Sequence, residues 1–261
     1  MAEERVVRQA PAIVMMDAGD TIGGTCQWIN GDLVDLRVLG RLIERLRREA
    51  IGGPRLIPYE DHHVYEYEER SVKVVAILKL VRATHGVAAM SALLAQGLLI
   101  DFGAAARGVY DAVAEVYFLF EKYPETSANV DQFVDSFFET TIREYLEQRV
   151  PPVPTKKIRA AATRAVLGVH DEVYRAPMDR VFQTFSGYVH ANYAHVMEVY
   201  FEPEDSFNLL GVPHLEPSLL RAEHIDQAGI AVSHAAWFVA RSLRLDATRN
   251  AIFAFAEENT A

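Results

Sequence analysis

From Val87 to Phe120 the chain carries only four formal charges: Asp101, Arg107, Asp111 and Glu115. A helix that is apolar on nearly every side belongs at the centre of its domain, because any outward face would leave greasy side chains in water. The charges it carries there are costly unless each finds a partner. This segment therefore demands other helices on all flanks, and the rest of the sequence supplies them. Leu33, Leu36, Leu39, Leu42, Ile43 and Leu46 recur at helical spacing over residues 32 to 50, and Gly52-Gly53-Pro54 stops that run. A second helix is expected from Pro58 to about His85, wet in its first half and apolar in its second. Residues 87–96 and 99–122 read as two more, joined or kinked near Gly97. Ser127 or Asn129 caps a fifth that runs to Arg149.

Pro151-Pro152-Val153-Pro154 halts that helix and is the best candidate hinge, although a tight connection inside one bundle fits it equally well. Helical patterns resume from Thr155 to about Tyr174 and from Met178 to about Phe201. Glu202 to Glu216 reads as a loop, and Pro217 to Glu258 as helix with a break near Leu245-Asp246. No strand-loop-helix alternation and no internal repeat is visible. The expected fold is all-α, a multi-helix bundle over residues 32–261, preceded by an irregular segment over residues 1–31.

Composition narrows the function classes. The chain has 261 residues, of which 50% are hydrophobic and 24% charged, with one cysteine. Cys26 has no partner in the chain, which excludes a disulfide scaffold. A net charge of −10 argues against a general nucleic-acid coat, whose affinity comes from neutralising phosphates. The apolar run Ala12–Met16 is too short for a signal-peptide core. Ala83 to Ile100 has no formal charge and reaches the lower bound for a membrane span, but its Thr84, His85, Gly86, Ser91, Gln96 and Gly97 read better as buried helix. The cytoplasm is the default location, with no membrane partner expected.

Within the central segment, Arg107 and Asp111 stand four residues apart and share a face, with Glu115 one turn further along. One reading is an ion pair that fixes helix register. The other is a polar pocket in the core. Ser186 and His190 repeat the i,i+4 device on a later helix, flanked by Phe182, Tyr193 and Met197. Facing each other, the two pairs would assemble an anion clamp, Arg107 with Asp111, beside Ser186 and a titratable His190. On this expectation Arg107→Ala costs several kcal/mol, because Asp111 is left buried and unpaired. Ser186 and His190 are the catalytic candidates if there is a reaction at all.

Ala105-Ala-Arg-Gly-Val-Tyr-Asp111, followed by an aromatic-rich helix and Tyr123-Pro124, resembles the A-R-x-x-x-E helix of an uncharacterised family of helical bacterial proteins. Phe185-Ser-Gly-Tyr-Val-His190 resembles the same family's L-S-x-x-V-H segment. The resemblance covers residues 87 to 200. This chain has Asp111 where the family has Glu and Phe185 where it has Leu. The resemblance implies an all-α fold with a buried Arg/acid/Ser/His cluster and no assigned reaction. A second, weaker resemblance is to HEPN-like helical bundles, whose ribonuclease members place an Arg and a His on one helix four to six residues apart. Arg164 and His170 fit that spacing, with Lys156, Lys157 and Arg159 just upstream and Ala165 where a polar residue usually follows the Arg.

Two further patterns carry less. Ile13-Val-Met-Met-Asp17-Ala-Gly-Asp20-Thr21 resembles the first motif of haloacid-dehalogenase phosphatases, but that fold needs an α/β sheet, and no later strand pattern supports one. Asp61, His62, His63 and Glu66 cluster at one place, and His190, His195 and Glu198 at another. His190 and His195 diverge by about 140° on a regular helix, and the acidic group reads as a solvated face. No metal and no cofactor is expected. Three functions stay open: a protein binding a small anionic ligand at Arg107, Asp111, Ser186 and His190; a HEPN-like nuclease or toxin-type enzyme using Arg164 and His170; and a non-catalytic bundle that works by association, as a homo-oligomer among other arrangements.

Overall fold

The computed structural model describes residues 34–59, 62–138, 151–167, 172–212 and 218–259. It opens on helix α1 (Leu36–Ile51), capped by Asp35, whose carboxylate accepts from the backbone N–H groups of Arg37 and Val38 at 2.9 and 3.1 Å. Leu39, Ile43 and Leu46 on α1 are buried, as their spacing requires. A hairpin of β1 (Arg55–Tyr59) and β2 (His62–Glu66) follows, antiparallel, with Arg55 opposite Glu66 and Ile57 opposite Val64. This corrects the helix expected from Pro58. Ile57, Tyr59, Val64 and Tyr65 are strand-forming residues, and their preference prevails over the helical reading.

The chain then enters α2 (Val72–Ala95), turns at Gly97, and continues as α3 (Leu99–Phe120). These two helices pack along one another and form the centre. Ile77, Leu80, Met90 and Leu94 of α2 and Leu99, Leu119 and Phe120 of α3 are among the most deeply buried side chains. The uncharged run from Ala83 to Ile100 is thus the end of one helix, a turn and the start of another. Helix α2 is long and apolar enough to cross a membrane, and it packs here against α1, α3 and two further helices. Next along the chain come α4 (Ala128–Phe137), capped by Ser127, α5 (Thr155–Leu167) and α6 (Glu172–Val189). A one-turn helix α7 (Tyr193–Val196), a 3-10 turn and a small hairpin of β3 (Tyr200–Phe201) and β4 (Ser206–Phe207) come next. Helices α8 (Ser218–Ser242) and α9 (Asp246–Glu258) complete the fold. Helices α5 and α6 lie on α3, α8 crosses both α2 and α3, and α9 bridges α8 and α1. Buried residues on both sides of residues 151–154, Val134 before and Ile158 after, belong to one core. The described part is all-α apart from the two hairpins.

Three helices end in the same way. At the end of α2 the Leu98 N–H donates to the Leu93 carbonyl and the Gly97 N–H to the Leu94 carbonyl, with Gly97 at φ +69°. The same paired bonds, Asn192 to Gly187 with Ala191 to Tyr188, and Leu245 to Ala240 with Arg244 to Arg241, close α6 and α8. This is the Schellman arrangement, which needs a left-handed residue just past the helix. Ala191 (φ 48°) and Arg244 (φ 59°) take that conformation without the freedom of glycine. The helix expected to run on to Phe201 therefore stops at Val189.

Gly97 also meets the chain from afar. The Val212 N–H donates to its carbonyl at 3.1 Å, and a Cβ at Gly97 would lie 2.4 Å from the Val212 carbonyl oxygen. Gly97→Ala is expected to cost about 1–3 kcal/mol through left-handed strain, with the collision added to it. Ala191→Gly is expected to gain about 0.5–1 kcal/mol, the relief of left-handed strain minus the entropy of glycine. Urea denaturation midpoints measure both; equal midpoints for wild type and the two variants would remove the argument from backbone handedness.

Candidate functional site

Three of the four charges of α3, Arg107, Asp111 and Glu115, are paired, and the fourth, Asp101, is exposed. Arg107 Nε donates to Asp111 Oδ2 at 2.7 Å, and its Nη1 donates to the Phe182 carbonyl on α6 at 3.0 Å. The guanidinium also lies 5.1 Å from the centre of the Phe182 ring. A second guanidinium, Arg159 of α5, reaches the same ring at 5.0 Å and pairs with Asp179 at 3.1 Å. One turn along α3, Glu115 accepts from Lys79 of α2 at 2.6 Å, and the Lys79 ammonium lies 5.3 and 5.4 Å from the rings of Phe133 and Phe137 on α4. Glu115 titrates above its ordinary value: burial raises it, Lys79 opposes that, and the charge of Asp111 adds to it. A cavity of about 110 Å³ lies between these groups, lined by Asp111, Ala114, Glu115, Thr155, Ile158 and Arg159.

The structure joins Arg107 to Asp111, and among the described residues no hydrogen bond links either of them to Ser186 or His190. Ser186 stands half-buried one turn beyond Phe182 on α6, and its hydroxyl makes no hydrogen bond among the described residues. His190 is exposed in the turn that ends α6, about 12 Å along the helix axis from Phe182. It does not enter a buried site with Arg107, because the left-handed turn at Ala191 ends the helix there. The histidine that packs inward is His195. Its ring meets Tyr188 at 4.3 Å between centroids, its Nδ1 is buried without a partner, and a Cβ at Gly187 would fall 2.1 Å from its Cε1. Tyr188 donates to the Glu198 carboxylate, 2.9 and 3.0 Å from its two oxygens. Only Gly187 leaves space for that ring, and a glycine inside a helix was the available sign of it.

Arg164 of α5 is closed on Glu121 by a two-pronged pair, with Nη2 to Oε2 at 3.1 Å. This raises the guanidinium pKa further and holds the arginine against an acid. His170 lies outside the described residues, as do Asp17, Asp20 and Thr21. Of the acidic cluster near the first hairpin, Asp61 and the side chain of His62 also lie outside them. No group of three or more His, Cys, Asp or Glu side chains gathers as a metal site among the described residues.

A different concavity lies between α3, α5, α8 and α9, with a volume of about 290 Å³. Tyr117 and Ala256 lie deep in it, Trp237 and Phe238 form a half-buried wall, and Val166 and Phe253 stand at its rim, each 49% exposed. Arg241 and His234 are exposed there, and the Arg241 guanidinium lies 5.4 Å from the Trp237 ring. His234, Trp237, Phe238 and Arg241 fall at i, i+3, i+4 and i+7 on α8, so they share one stripe. That spacing was visible in the sequence. The opposing walls were not, since they come from three other helices.

No family model matches the chain, and neither a curated protein nor a solved structure matches it.

The geometry revises the expected cost of losing Arg107. The Asp111 side chain is 37% exposed, so water can replace the guanidinium. Arg107→Ala is expected to cost about 1–2 kcal/mol, the value of a charged hydrogen bond plus a cation–ring contact, in place of several. A loss above roughly 3 kcal/mol in urea denaturation would show Asp111 to be buried after all. The Lys79 and Glu115 side chains are only 21% and 20% exposed, and there the cost is higher. Lys79→Ala is expected to remove roughly 3 kcal/mol at pH 7, the lower end for breaking a buried pair. The loss should shrink on acidification. Without Lys79 the folded pKa of Glu115 climbs further above its ordinary 4.5, so the folded state takes up the proton first and stability recovers as pH falls through that window. A destabilisation that does not change between pH 7 and pH 4.5 would contradict this assignment.

Proposed function

We propose that the protein works by binding a small apolar ligand in the groove between α3, α5, α8 and α9, as a helical binding protein with no chemistry of its own. The observation that carries the proposal is the groove itself. It is a concavity walled by Trp237, Phe238 and Phe253 with few polar groups, which is the make-up of small-molecule sites. By contrast, the arginines among the candidate residues are each engaged within the fold. Arg107 spends its donors on Asp111 and the Phe182 carbonyl, and Arg164 is held by Glu121. On this reading the Ala-Arg-x-x-x-acid pattern that resembles an uncharacterised helical family is a packing device. It keys α3 against α6, and an anion would have to displace Asp111 to reach Arg107.

A titration of isotope-labelled full-length protein with 1-octanol, followed by amide chemical shifts, tests the proposal. Saturable shifts are expected at residues around Tyr117, Ala165, Trp237 and Phe253, with little change at Arg107 or Glu121. The absence of any saturable shift with 1-octanol and with sodium octanoate alike would sink it. RNA cleavage by the purified chain that vanishes in Arg164→Ala would replace it with the HEPN-like nuclease reading.

A further inference from the structure

We infer that the ligand of this groove is an amphipathic carboxylate, its headgroup on Arg241 and its tail along Trp237, Phe238 and Phe253. The inference rests on the groove being the binding site and adds the chemical class of what enters it. The first support is charge. The nine residues lining the groove include Arg241 and His234 and no acid. Among the described residues no carboxylate pairs with Arg241, as is also true of Arg37, Arg41, Arg82 and Arg244, but of these only Arg241 lines the groove. A cation left open beside an apolar concavity complements a ligand with one anionic end.

The second support is shape. The guanidinium of Arg241 lies against Trp237, which limits its freedom before any ligand arrives and lowers the entropy lost on binding. A planar fork of N–H donors matches the two oxygens of a carboxylate. The third support is the floor. Tyr117 is only 9% exposed, its hydroxyl makes no hydrogen bond among the described residues, and burial raises its pKa well above the ordinary 10.0, so it stays a neutral phenol. A neutral floor favours the tail at depth and the charge at the rim. The volume of about 290 Å³ sits at the lower end of small-molecule sites, about 300–1,000 Å³, which suits a chain of around eight carbons.

Isothermal titration of the full chain at pH 7 with sodium octanoate and, separately, 1-octanol decides the matter. Octanoate is expected to bind more tightly than octanol. Arg241→Ala should weaken octanoate about tenfold or more, the scale of one charge-assisted hydrogen bond, and leave octanol within about twofold. Val166→Trp, at an exposed rim position that tolerates a larger side chain, should weaken both by filling the mouth. Equal binding of the two probes, or octanoate binding unchanged in Arg241→Ala, would overturn the carboxylate assignment and leave the groove as a neutral-ligand site. Octanoate binding that survives Val166→Trp would overturn it by placing the anion elsewhere. If neither probe binds, the groove is not a ligand site, and the proposed function fails together with this inference.

Discussion

The burial of α3 is the constraint on which the other elements depend. The consecutive buried residues Val116, Tyr117, Phe118, Leu119 and Phe120 step 100° at a time around the helix, so this end of α3 has no face to give to water. Helix α2 covers one side, α5 and α6 another, and α8 a third. Each covering helix must also meet whatever charge α3 presents on its side. Lys79 does so for α2 with Glu115, and the carbonyl of Phe182 does so for α6 with Arg107. The polar seam is therefore a by-product of complete coverage. It fixes where each helix sits along α3, because a slip of one turn would separate Lys79 from Glu115 and leave both mostly buried without a partner.

Coverage is less complete near Tyr117. There α5, α8 and α9 converge on α3 without closing, and Val166 and Phe253 remain half exposed beside the half-buried Trp237. An exposed Phe alone needs no explanation, since apolar atoms make up much of any protein surface. Phe253 differs because it borders a concavity with an aromatic wall and an unpaired cation. The two regions thus spend their charges in opposite ways. In the seam Arg107, Lys79 and Arg159 are each matched by an acid, although Arg159 Nε stays buried without a partner. In the groove Arg241 has only the face of Trp237, and its donors remain available to a molecule from solution.

Much of this was legible in the sequence, and the rest was hidden for identifiable reasons. The apolar run from Val87 to Phe120 announces the central helix, and Gly97 announces the turn, because only glycine takes the left-handed conformation without cost. Ala191 and Arg244 make the same kind of turn with ordinary side chains, so nothing in the letters marks them, and the helix through His190 reads too long. The i,i+4 spacing of Arg107 and Asp111 shows that they pair. It cannot show the third member, since a backbone carbonyl such as that of Phe182 has no sequence signature. The first hairpin reads as helix because the strand-forming Ile57, Tyr59, Val64 and Tyr65 are interrupted by acids that also fit the wet face of a helix. The groove shows only its α8 stripe, and a stripe of aromatics at helical spacing is by default a core face.

That default explains why a binding surface and a core face are so hard to separate from spacing alone. Both need apolar residues at i, i+3, i+4 and i+7, and both bury them in the end, one against the chain and the other against a ligand. The distinguishing feature lies at the ends of the stripe. A core stripe ends in residues that pair within the fold, as Arg107 does with Asp111. The α8 stripe ends in His234 and Arg241, both exposed, with no acid among the residues lining the groove beside them. No acid lines the groove, so the Arg241 guanidinium leaves a local positive potential there. An apolar wall flanked by such a potential complements a molecule that is greasy along its length and negative at one end.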